Sequence, residues 1–107
     1  MTYNRVILVG RATKDPEVNE KVVRFDLAVS RTKDETDFFK VSCFEKVAEF
    51  VKSYVKKGRL LLIEGTLRNN SWTDKEGKQR ITTEIIANRV EILEKKESNN
   101  ATPENWN

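Results

Sequence analysis

Phe38-Phe39-Lys40-Val41-Ser42-Cys43-Phe44 runs straight into Glu45-Lys46-Val47-Ala48-Glu49-Phe50-Val51-Lys52-Ser53-Tyr54-Val55-Lys56-Lys57, and the change of period between them decides the fold. Up to Phe44 the residues alternate as in a strand. Beyond it Val47, Phe50, Val51, Tyr54 and Val55 recur at three- and four-residue spacing, which is helical. The pattern predicts a strand over Asp37–Phe44 and a helix over Glu45–Lys57. Lys46, Glu49, Lys52 and Lys56 take the wet side of the helix, and Tyr54 falls on its core-facing side. Lys56 and Lys57 suit the C-terminal end of the helix dipole, and Gly58 can supply a left-handed stop.

Upstream, Tyr3–Arg11 reads as a strand apolar on both faces, either covered on both sides or paired at a subunit boundary. Lys14-Asp15-Pro16-Glu17 reads as a loop, because Pro16 pushes Asp15 out of the helical region. Val22–Arg31 alternates cleanly, and the polar Arg31–Asp37 forms a loop. Downstream come a strand over Arg59–Arg68, a hairpin with its tip at Asp74-Lys75-Glu76-Gly77, and a last strand from about Arg80 to Leu93. Residues 95–107 are polar and are expected to form a short disordered tail after one domain over residues 1–94. The predicted fold class is all-β with one helix. Five strands with a helix between the third and fourth suit a Greek-key barrel of the OB type, whose strand face and hairpin loops bind nucleic acid strands. An α+β sandwich is the alternative.

The 107 residues contain no histidine and one cysteine, Cys43. That excludes a disulfide within the chain, a Cys/His zinc site and a His-activated nucleophile. The carboxylates of Asp15 and Glu17, and of Asp34, Glu35 and Asp37, are ordinary loop chemistry, and the glycines stand singly, so no phosphate-cradling loop is present. No catalytic residue, metal or cofactor is expected, and the chain is not read as an enzyme. With no signal peptide and no apolar run of membrane length, the expected compartment is the cytoplasm. Only 37% of the residues are hydrophobic, so self-association would help such a small core.

The net charge of +3 says little, but its distribution says more. Lys52, Lys56, Lys57, Arg59, Arg68, Lys75, Lys78 and Arg80 crowd one third of the chain, against Glu64, Asp74 and Glu76. That is the electrostatic footprint of a phosphate backbone. In the strand at 38–44, Phe39, Val41 and Cys43 make a core face, which sends Phe38, Lys40, Ser42 and Phe44 to the other side. Rings beside a lysine on a wet face suit base stacking, with the lysine meeting phosphate. Trp72, among polar residues, reads as a mobile stacking platform between Arg68 and Lys75.

Asn4-Arg5-Val6-Ile7-Leu8-Val9-Gly10-Arg11, Lys14-Asp15-Pro16-Glu17, Phe44-Glu45-Lys46-Val47-Ala48-Glu49-Phe50, Tyr54-Val55-Lys56-Lys57-Gly58-Arg59, Ile63-Glu64-Gly65-Thr66-Leu67-Arg68, Trp72-Thr73-Asp74 and Thr83-Glu84-Ile85 occur in that order. Over roughly residues 3–93 the chain thereby resembles the bacterial single-stranded-DNA-binding proteins. The resemblance implies an OB barrel, a homotetramer built as a dimer of dimers with the first strand at a dimer boundary, and sequence-tolerant binding of single-stranded DNA in replication, recombination and repair. Phe38, Phe44 and Trp72 fall at the family's stacking positions, and Lys46, Lys56, Lys57 and Arg68 at its phosphate-facing ones. Lys40 and Lys75 join them on their placement in this sequence. The loop Arg31–Asp37 is short and carries no aromatic, Asn70 and Ser71 stand where basic residues are usual, and no acidic C-terminal tip is present to recruit replication or repair proteins. Two other readings are a protein-interaction module of the primosome-accessory type and a binder of single-stranded RNA.

Overall fold

The computed structural model describes residues 1–94, so the tail expected at 95–107 lies outside the described residues. Six strands, β1 (Val6–Ala12), β2 (Glu17–Val18), β3 (Val22–Ser30), β4 (Thr36–Phe44), β5 (Leu60–Thr73) and β6 (Gln79–Ile92), form one sheet in the order β1-β5-β6-β4-β3-β2. Pairing of Arg11 with Ala28 and of Ala12 with Leu27 joins β1 to β3 and closes the barrel. The single helix, α1 (Glu45–Tyr54), lies between β4 and β5, as the period change predicts.

Alternation builds the core. Val23, Phe25 and Leu27 of β3, Val41 and Cys43 of β4, Leu61 and Ile63 of β5, and Ile85, Ala87 and Val90 of β6 point inward, and Ala48, Val51 and Val55 from the helical segment pack against them. Burial pushes the Cys43 thiol up to about 12, so the lone cysteine is an inert core residue. Two glycines allow the closure. A Cβ on Gly10 would stand 2.3 Å from the Ala28 carbonyl oxygen, and one on Gly65 would stand 2.0 Å from that of Ile86. Only a hydrogen fits at either crossing.

Several boundaries differ from the sequence reading. β1 begins at Val6 rather than Tyr3, and within one chain it is covered on one side only: Ile7 and Val9 are exposed. A two-residue strand, β2, occupies the end of the expected loop, because Glu17 and Val18 pair with Arg24 and Val23. The helix stops at Tyr54, since Val55 turns extended to reach the core while its N–H still donates to Val51 O. Lys56 and Lys57 therefore lie beyond the helix, and Gly58, at φ 87°, shapes the following turn rather than the helix end. Tyr54 is 58% exposed instead of core-facing and lies against Phe50 at 5.1 Å between ring centroids. The buried stripe is narrower than the apolar one, and Tyr54 sits on its flank.

The β5–β6 hairpin is longer than expected. Its register continues from Leu61↔Ile92 out to Thr73↔Gln79, so residues 67–73 extend as an arm past the barrel. Asp74 makes the tip: its Oδ1 accepts from the N–H groups of Glu76 and Lys78, both at 2.9 Å, and Gly77 takes φ 83°.

Candidate nucleic-acid interface

Register decides which side chains share the outer face. On β4, Phe38, Lys40, Ser42 and Phe44 pair with Ala28, Asp26, Arg24 and Val22 of β3. Ser42 pairs in parallel with Ile86 of β6, and Glu84, Thr82 and Arg80 follow Ile86 along the same side of that strand. These in turn face Thr66, Arg68, Asn70 and Trp72 of β5. The face thus runs unbroken across β3, β4, β6 and β5, and brings Phe38, Lys40, Phe44, Arg68 and Trp72 onto one surface.

Phe38 is 65% exposed and Trp72 47% exposed. Trp72 belongs to β5, opposite Arg80, so it is held on a strand rather than carried by a mobile loop. Arg80 Nε donates to Asp74 Oδ2 at 2.8 Å, which ties the tip to the arm beside the indole. Phe44 is only half-buried, at the corner where β4 becomes α1. The corner has no loop: Glu45 takes a left-handed φ of 53°, a conformation that costs an L-residue about 1–2 kcal/mol. One side of Phe44 opens on a cleft of about 460 Å³ between the β2–β3 turn and α1, which Lys21, Val22, Ala48 and Lys52 also line. Above the ring, the Arg68 guanidinium carbon stands 5.8 Å from its centroid, within cation–π range.

Ser42 does not point into water as expected. It is fully buried beneath the face, because β4 is flanked there by both β3 and β6. Its hydroxyl accepts from Arg24 Nε at 3.2 Å and donates to Glu84 Oε1. Glu84, 5% exposed, also accepts from Asn70 Nδ2 and, at 3.0 Å, from Arg68 Nη2. Burial works against the Glu84 carboxylate, but its donors Ser42, Asn70 and Arg68 and the Arg68 charge prevail and hold it below the usual carboxylate range. The sequence reading missed Glu84 as a functional residue. In a run of threonines and isoleucines it reads as one more wet strand position, and only the register sets it against Ser42 and Arg68.

The other expected cations are placed around the face. Lys40 is on it, opposite Asp26 of β3, and a groove of about 180 Å³, which Asp15, Glu17 and Asp26 also line, joins Lys40 to Lys14 and Arg24. Lys46 is exposed in the first turn of α1, next to Phe44, and Lys75 is exposed at the hairpin tip. Lys56 and Lys57 are exposed on the turn behind the helix, where the Lys57 N–H donates to Asp15 Oδ1 at 2.9 Å; they belong to the barrel's end rather than to the strand face. In the loop before β4, Arg31 pairs with Glu35 and Asp37, so its charge is already engaged.

A closed Greek-key barrel whose open sheet face sets aromatic rings beside cations is an OB-type binder of nucleic acid strands. Residues 3–93 match the model of the single-strand binding protein family. Single-stranded DNA-binding protein 2 of Staphylococcus aureus (strain COL) is 43% identical over 107 residues, covering 90% of this chain and 77% of its own length. The single-stranded DNA-binding protein of Thermotoga maritima is 36% identical over 107 residues, covering 88% of this chain and 76% of its own length. The chain belongs to the single-strand binding protein family, a family of binding proteins rather than enzymes.

Proposed function

We propose that the four-strand face holds single-stranded DNA, without regard to sequence, by stacking bases on Phe38, Phe44 and Trp72. The observation that carries this reading is the register that sets all three rings on one face with Lys40 between the two phenylalanines. Every base has a π-face, so a ring contributes about 1–3 kcal/mol whichever base it meets. Lys40, Lys46 and Lys75 border the rings and meet the phosphates, and Lys56 and Lys57 extend that contact around the end of the barrel. The names of the curated relatives state the same ligand for those proteins.

The chain works as an oligomer, on this reading a homotetramer made of two dimers. The support is the outer side of β1, where exposed Ile7 and Val9 lie beside Leu62 within a rim of Arg5, Glu64, Arg89 and Glu91. Its setting is DNA replication, recombination and repair in the cytoplasm. No helix among the described residues is long and apolar enough to cross a membrane.

Titration with an oligothymidine tests the function. Emission from Trp72 should be quenched in a variant lacking Trp106, the other of the chain's two tryptophans, and the affinity should fall with added salt as bound cations displace counterions. Unchanged emission at saturating DNA and low salt would refute it. Competition by an RNA oligomer of equal length decides which sugar is preferred, since stacking alone does not.

A further inference from the structure

Arg68 stands where a phosphate-facing cation is expected, but its surroundings do not suit that task. Its Nη2 is held 3.0 Å from Glu84 Oε2, and its guanidinium lies over the Phe44 ring. Glu84 is itself fixed. It is buried, and Ser42 of β4 and Asn70 of β5 donate to it from the strands on either side of β6. An immobile anion in contact with the guanidinium cancels much of its charge toward the face and pins one edge of the fork. What stays available is the plane: the Arg68 side chain is 49% exposed, and a guanidinium is a weakly hydrated plate that stacks on rings and on bases.

We propose that Arg68 and Phe44 form one composite stacking platform for a base, and that Glu84 is the positioning residue that holds the guanidinium over the ring. The inference rests on reading the four-strand face as the DNA surface. On that face Lys40 and Arg68 then differ in kind. Lys40, which forms no ion pair among the described residues, binds phosphate and releases a counterion; Arg68, its charge largely offset by Glu84, contributes area and shape.

Oligothymidine affinity measured across a salt series separates the two roles, with thermal melts showing that each variant is folded. Arg68→Lys keeps the charge and loses the plate, so it should weaken binding about tenfold. The charge-neutral pair Arg68→Gln with Glu84→Gln should weaken binding similarly and leave the slope of log affinity against log salt unchanged, whereas Lys40→Gln should reduce that slope by about 0.7. Glu84→Gln alone should steepen it by about 0.7, because Arg68 recovers a full charge; a merely structural loss would not move the slope. The proposal is overturned if Arg68→Lys binds like the parent, or if the neutral pair reduces the slope as much as Lys40→Gln does. Phe44→Ala keeps the two levels apart. If it has no effect, the face itself is misread. If it weakens binding while Arg68→Lys does not, only the composite platform fails.

Discussion

Two outer faces of this barrel expose apolar side chains among charges, and they do so in opposite ways. Beside β1 the apolar groups are aliphatic, Ile7, Val9 and Leu62, and the surrounding charges are spent on one another: Arg5 and Arg89 both pair with Glu64, and Arg89 also with Glu91. On the outer side of β4 and β5 the exposed apolar groups are the rings of Phe38 and Trp72, beside half-buried Phe44, while the exposed aliphatics Leu67 and Ile81 fall on the other side of the arm. Lys40 and Lys46 form no ion pair among the described residues. Aliphatic groups release water when covered but cannot stack on a base, and closed ion pairs have little to offer a phosphate. The first face suits a second copy of the chain, and the second suits a nucleic acid strand. Hydrophobic exposure alone would not tell them apart. Rings in place of aliphatic groups do, with Lys40 and Lys46 left unpaired among the described residues beside them while Arg68 and Arg80 are paired.

The largest effect should come from removing rings. Phe44→Ala together with Trp72→Ala should reduce oligothymidine affinity about 100-fold or more, each ring being worth about 1–3 kcal/mol. The same titration with Ile7→Ala should stay near the parent value, and equal losses in both would erase the contrast. Next is Gly65, where β5 passes from one face to the other. Gly65→Ala forces a Cβ against the Ile86 carbonyl oxygen, and should destabilise by about 3 kcal/mol, lowering the melting temperature by about 10 °C or more. Differential scanning calorimetry gives both numbers.

Charging the aliphatic face should change assembly rather than chemistry. Ile7→Asp with Val9→Asp is expected to shift sedimentation to smaller species, while each chain keeps its affinity for a short oligonucleotide within about threefold, since exposed substitutions away from the rings move energies by about 0.5 kcal/mol. The smallest effect is in acid. Glu84 is held below its ordinary range in the native state, so its stabilising contribution is complete above the unfolded carboxylate value and is lost as pH falls through the depressed one. The melting temperature of the parent should therefore drop more between neutral and strongly acid pH than that of Glu84→Gln. The variant is needed because Asp74 and Glu94 are lowered too and contribute to any acid lability common to both proteins.

The strand-to-helix switch at Phe44 was legible because the two periods meet there with no loop between them. The inward residues of β3 and β4 were legible for the same reason, since alternation with one dry side leaves a clear record in the composition of a strand. The reading failed where burial depends on what arrives from elsewhere in the chain. Tyr54 has the right spacing for the core and misses it, because Val51 and Val55 already fill the available arc. Ser42 has the right parity for water and is sealed beneath Glu84, which is 42 residues away. Residues 69–73 look like a polar connection because both sides of the arm are wet, although backbone pairing to β6 makes them a strand.

By itself, then, the sequence determined the order of the five long strands and the helix, the dry side of β3 and β4, and the presence of Phe38, Lys40, Phe44 and Trp72 as candidates without a place in the core. Those features are written in local period and residue type, which act over a few neighbours. Only the tertiary structure decided that the candidates share one face, that Trp72 stands on a paired strand opposite Arg80, and that Arg68 is committed to Glu84 above Phe44. Each of these depends on strand register and barrel closure, set by backbone pairing between segments far apart in the chain, and no local pattern of side chains records it.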